Sequence, residues 1–182
     1  MVTAQVWELA LESCGHARRL VGVAALDAWL DLQDVAVAAR HPDLGAPAFS
    51  RLLEIIVGRC EADETDVDED AEDALMQFRE AAADVLVATY FLLREAYVTG
   101  VAGALTRAFE AVARGELPAV RRAEAAFYAL RVARKEVVAD AKARPDVAAS
   151  RPARESGPFA DVSTLEQRAR SRAAAHQGRL HS

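Results

Sequence analysis

Two groups of residues have types and spacings that could do chemistry: a cysteine beside a histidine, and a dense run of acids. Cys14 and His16 stand two positions apart. A thiolate nucleophile needs an imidazole against its sulfur, and a two-residue step across a turn sets no such geometry. Cys60 has no histidine near it in sequence, and neither cysteine has a partner at the Cys-x-x-Cys spacing of a metal-ligand pair. Both fall inside helical stretches and read as reduced core residues, with a disulfide as the alternative. His41 falls in a loop at a helix end and His176 and His181 lie in the tail. No phosphate-binding loop, GxGxxG, HExxH, GxSxG or paired Glu-x-x-His motif occurs. The expectation is a protein that is not an enzyme, with no cofactor and no metal.

The acids form one block. Residues 61 to 73 contain nine of them, and Asp66, Asp68 and Asp70 occupy positions one, three and five of a calcium loop. Position six is then Ala71 where the tight turn requires glycine, and position twelve is Gln77 where a bidentate glutamate must close the cage. This is no EF-hand. Three readings remain: a solvated inter-helix loop, a weak divalent site, or a docking surface for a basic partner, since clustered acids attract arginine-rich segments. For the last, the candidate residues are Asp63, Glu64, Asp66, Asp68, Glu69, Asp70, Glu72 and Asp73.

The elements that would position these residues all read as helices. Apolar residues at helical spacing predict a first helix from about Thr3 to Cys14 through Val6, Leu9 and Ala10, with Gly15 ending it. A second runs from about Ala17 to Ala39 through Leu20, Val23, Leu26 and Trp29. After the loop HPDLGAP, Pro47 starts a third through Phe49, Leu52, Leu53, Ile56 and Val57. A fourth begins near Asp70, where acids suit the helix dipole, and carries Leu75, Phe78, Ala82, Val85 and Leu86. A fifth spans about Val98 to Arg114. After a turn at Gly115 to Pro118, a sixth holds Val120, Ala123, Phe127, Leu130, Ala133 and Val137 on one face. The aromatics Trp29, Phe78, Tyr90, Phe91, Phe109, Phe127 and Tyr128 fall mostly at core spacing.

Composition agrees. Hydrophobic residues make up 52% of the 182, with aromatics at only 6%, so closely approaching helices are favoured over a thick aromatic core. No Asn-Gly or Asp-Gly hairpin dipeptide and no sustained alternation occurs, which removes the signals of a sheet. The expected fold is all-α, an α-solenoid of about three HEAT-like antiparallel helix pairs over residues 1–142. Residues 143–182 form an Arg-, Ala- and Pro-containing tail, expected to be disordered apart from a short polar helix at Thr164 to Ala175. Residues 1–140 carry 24 acids against 14 bases, whereas 141–182 carry 8 bases against 4 acids. An acidic body argues against direct nucleic-acid binding. Neither a secretory leader nor a membrane span is expected.

Several segments, in order, resemble the importin-β superfamily of nuclear transport receptors, in its transportin-3 and importin-13 branch. The run ALESCGHARRLVGVAALDAWLDLQDVA resembles that branch's helix pair around a Cys-x-Gly-His-like turn, here Cys14-Gly15-His16 and one residue shorter, with Trp29 in the aromatic stretch. FSRLLEIIVGRC, from Phe49 to Cys60, looks like the following helix. Next comes an acidic loop, then Phe78-Arg79, with Leu75 where the family has its first phenylalanine. Pro118 to Val137 is similar to a Trp-x-x-x-Glu-Ala-x-Leu helix start; Glu124-Ala125 match, and Val120 stands where the tryptophan belongs. The resemblance covers residues 10 to 140. It implies HEAT repeats from the middle of a longer receptor that shuttles between cytoplasm and nucleus. Its implied partners are protein cargo, Arg/Ser-rich in this branch, the GTPase Ran and nucleoporins. The receptor's main Ran-binding repeats would lie outside this chain. A stand-alone helical scaffold or adaptor is the competing expectation.

Overall fold

A chain rich in alanine, leucine and unbranched charged residues loses little side-chain freedom in a helix, and every regular element among the described residues is helical. The computed structural model describes residues 4–62 and 69–143. They contain α1 (Ala4–Cys14), α2 (Arg19–Asp31), α3 (Ala46–Arg59), α4 (Glu69–Leu93), α5 (Glu95–Ala113) and α6 (Ala119–Ala143), with three short 3-10 turns between α2 and α3. The chain divides into a unit Met1–Ala141 and a unit Lys142–Ser182. The description below concerns the first. The tail expected to be disordered lies outside the described residues from 144 onward.

Among neighbours in sequence α1 packs on α2, α3 on α4 and α4 on α5, α5 meets α6 through Tyr97–Ala129 and Phe109–Phe127, and the helices also sort into two rows. In one row α1 packs on α3 and α3 on α5; in the other α2 packs on α4, and α4 is bonded along its length to α6. Arg79 pairs with Glu124, while Tyr90 and Arg94 both reach Asp140. Residue numbers therefore rise together along α4 and α6, and the two run parallel. In the other row, Arg51 of α3 grips Glu8 of α1 through two bonds of 2.7 and 2.9 Å. One buried cluster runs through both rows and draws on all six helices. Its aromatic centre is Trp29, fully buried, with the rings of Trp7 and Phe49 each 5.4 Å away.

Close approach sets the tightest contacts. At Gly22 of α2, a Cβ would lie 2.8 Å from the Phe78 ring of α4 and 3.0 Å from the carbonyl of Cys14, so only glycine lets those helices meet at this distance. Along α6 the buried stripe is Ala119, Ala123, Ala126, Ala129 and Ala133. It brings the backbone near enough for the Tyr97 hydroxyl to donate to the Ala129 carbonyl at 3.0 Å. Arg79 then fastens three helices together. It donates from Nε and Nη2 to the Cys60 carbonyl that ends α3 (3.1 and 2.6 Å), it pairs with Glu124, and its own carbonyl accepts from Tyr128. A helix's last carbonyls lack intrahelical donors, which is why a guanidinium fork is well used there.

The structure corrects several expected faces and ends. The second helix stops at Asp31, not near Ala39. Beyond it Val35 and Val37 are exposed, and β-branched residues without a core to face do not extend a helix. The fifth helix begins at Glu95, not Val98, so a single residue, Arg94, separates it from α4. On α6 the outer positions Val120 and Phe127 are half exposed, as are Phe91 of α4 and Phe109 of α5. There the alanines face inward and the larger residues outward, the reverse of a reading by size. On α1, Leu11 and Cys14 are buried with Trp7 and Ala10 packed against the core, while Val6 and Leu9 face out.

Candidate protein-binding surface

The expected Cys–His pair is not assembled. Cys14 is fully buried, whereas His16 is exposed and its Nδ1 accepts from the backbone N–H of Arg18 at 3.1 Å. His41 caps a turn in the same way, accepting from the N–H of Asp43 at 3.3 Å. Both cysteines are unpaired. Burial pushes the Cys14 thiol up to about 11 and the Cys60 thiol up to about 12, which keeps both protonated and poorly nucleophilic at neutral pH. Among the described residues no three His, Cys, Asp or Glu side chains converge on a point where a cation would sit, and no single helix is long and apolar enough to cross a membrane.

The acidic candidates separate into two groups. Glu69, Asp70, Glu72 and Asp73 open α4 with exposed side chains, where the free N–H groups of a first turn favour negative charge. Asp63, Glu64, Asp66 and Asp68 lie outside the described residues.

A second surface was not singled out from the sequence. It is an open groove of about 1040 Å³ between α3 and α5. Leu53 and Val101 form its floor, both nearly inaccessible, and Gly58, Gly100 and Gly103 line its walls. Glu54, Glu61, Glu95, Arg107 and Arg122 are its charged lining residues. Gly58 and Glu61 also border Pro118 and Arg121, just where α6 begins. Arg122 is held at 3.5 Å by Glu116. The groove thus combines an apolar floor, small residues and several charged side chains. The sequence signal for it is the spacing Ala96, Gly100, Ala104 along one face of α5.

No protein-family model, curated protein or solved structure matches this chain.

Proposed function

We propose that this chain is a protein-binding stack of three HEAT-like helical hairpins, an α-solenoid segment of a nuclear transport receptor of the importin-β superfamily. The observation that carries the stacked-hairpin reading is the two-row order. α1, α3 and α5 pack in one row and α2 on α4 in the other, with α6 joined to α4 by side-chain bonds, an order in which each hairpin would cover the next and leave its remaining faces for partners. The outer faces of the two end hairpins add support. Val6, Leu9 and Leu20 are exposed on the first, and Phe109, Val120 and Phe127 on the last. Interior repeats of a longer stack have apolar ends of this kind, whereas terminal ones have polar caps.

The transport role rests on the residue-by-residue resemblance from Ala10 to Val137. In this reading the partners are protein cargo with Arg/Ser-rich segments, Ran and nucleoporins, and the protein moves between cytoplasm and nucleus. The acids from Asp63 to Asp73 attract the basic cargo. The full chain as bait, with purified GTP-loaded Ran and an Arg/Ser-repeat peptide, tests the proposal. Peptide capture that weakens severalfold when those acids become serine, at low salt where such attraction is strongest, is expected. Equal capture by both forms removes the cargo assignment, and no capture of either peptide or Ran removes the transport role.

A stand-alone scaffold is the second reading. It is favoured by the single buried cluster that draws on all six helices, which would let these three hairpins fold without flanking repeats. It predicts a monomer with no response to Ran.

A further inference from the structure

We propose that this chain forms a homodimer by exchange: the joint at Arg94 straightens, α4 and α5 fuse into one helix from Glu69 to Ala113, and each copy seats its α5–α6 hairpin on α1–α4 of the other. The proposal goes beyond both readings above and depends on neither.

The joint carries the first part. Arg94 has φ 51 and ψ −113, torsions that glycine takes readily and a residue with a Cβ takes only under strain. Nothing local calls for a break there. No glycine or proline occurs from Arg59 to Thr99, and Leu92, Leu93, Arg94, Glu95 and Ala96 are all strong helix formers. Arg94 stands at the N-cap of α5, yet its side chain caps no N–H group. The backbone is already close to helical on either side. The N–H of Arg94 donates to the Tyr90 carbonyl at 2.7 Å and that of Val98 to the Arg94 carbonyl at 3.4 Å, both at the four-residue step of an α-helix. Turning Arg94 alone to helical torsions would bring the N–H groups of Glu95, Ala96 and Tyr97 to the carbonyls of Phe91, Leu92 and Leu93. The break is therefore imposed by the packing of α5 and α6 back onto the rest, and a short strained joint is where such packing passes to a second copy.

Exchange also remakes what it breaks. The α5–α6 hairpin is held together by the Tyr97 hydroxyl on the Ala129 carbonyl and by the Phe109–Phe127 contact, so it moves as a piece. Its links to α1–α4 are Leu53 beside Gly100, Arg79 with Glu124, the Tyr128 hydroxyl on the Arg79 carbonyl, and Tyr90 on Asp140. Each link joins a residue before the joint to one after it, and a second copy supplies the same partner. The fully buried Leu26, Trp29, Phe49, Leu52, Ile56 and Phe78 all belong to α1–α4, so that core stays whole while the hairpins trade places. The strain and the interrupted backbone bonds belong to the bent form alone. A fused helix gains a contact as well. Phe91 is half exposed beside the joint and shares a face with Glu95, Val98 and Ala102 at helical spacing, where two fused helices cross about the two-fold axis of the dimer.

Sedimentation of the full chain, refolded from urea at high protein concentration, tests this with Arg94→Ala and Arg94→Gly in parallel. Both variants lose the guanidinium's contacts with Asp140 and the Phe91 ring, so a role for those contacts alone moves the two in the same direction. Exchange moves them apart. Alanine keeps the strain of the corner and favours the fused helix, whereas glycine relieves the strain and weakens the helix. The dimer share is expected to rise by about threefold or more with Arg94→Ala and to fall by about fivefold or more with Arg94→Gly. Spin labels on Glu80→Cys and Glu110→Cys, both exposed positions, read the path of one chain when labelled copies are diluted in unlabelled ones; the native Cys14 and Cys60 are buried and escape labelling. Across the 120° bend the two positions lie roughly 20 Å apart, and along a fused helix roughly 45 Å. The longer distance is expected in the dimer and the shorter in the monomer. A chain that stays monomeric in all three forms, variants that fail to shift the dimer in opposite directions, or a dimer that keeps the shorter distance overturns the proposal.

Discussion

Thr89 lies in α4 with its hydroxyl fully buried and without a hydrogen-bond partner among the described residues. Desolvating such a group costs about 1–3 kcal/mol with nothing returned, and valine keeps the same branched shape. Thr89→Val should therefore raise stability by about 1 kcal/mol, read as a melting temperature about 3 °C higher; a lower value would mean that the hydroxyl has a partner after all. The buried thiols give a pH dependence of definite sign. Their ordinary value is 9.0, and burial lifts them to about 11 and about 12, so the folded state keeps its protons longer than the unfolded one. Stability should be level below pH 9 and fall as pH rises from 9 toward 11, and Cys60→Ala should flatten the first part of that fall. A urea midpoint constant from pH 8 to 11 would exclude this. Single residues were also where sequence reading lost most. Spacing suggested Phe109 and Phe127 as core, yet the neighbouring Ala108, Ala111, Ala126 and Ala129 are buried instead, because a helical period does not say which of two adjacent stripes faces inward.

At the scale of elements, all six helices and most of their ends were legible, since caps, prolines and apolar periodicity are local. The joint between α4 and α5 was not. Its only residue, Arg94, has φ 51 and ψ −113, a conformation that favours glycine, yet nothing in its residue type announces a sharp corner. The side chain compensates, with its guanidinium 4.9 Å from the Phe91 ring centroid and paired to Asp140. Arg94→Ala should lose those contacts while keeping the strain, whereas Arg94→Gly loses the contacts and relieves it. The glycine variant should be the more stable of the two by about 1 kcal/mol in denaturant titration; equal stabilities would mean that the corner is unstrained. The groove was illegible for a related reason. Its glycines and alanines can be counted along α5, but that α3 flanks them is a fact of packing between distant segments.

For the whole molecule, the exposed apolar ends set solution behaviour. Phe109 and Phe127 contact each other edge to face at 6.1 Å, and each is about half exposed. Replacing both with serine should cut the fluorescence of a hydrophobic dye by about half while moving stability by less than about 0.5 kcal/mol, as surface changes do. A large loss of stability would place these rings in the core. The one-residue joint has a mechanical consequence as well. It connects 25 residues of α4 to 19 of α5, roughly 37 and 28 Å of stiff rod, with a bend of 120° between them. With no slack to absorb motion, a pivot of about 3° at Arg94 would swing the far tip of α4 by roughly 2 Å relative to α5. A wedge driven in beside α5 is thus geared to the opposite row, as one arm of a crank is to the other.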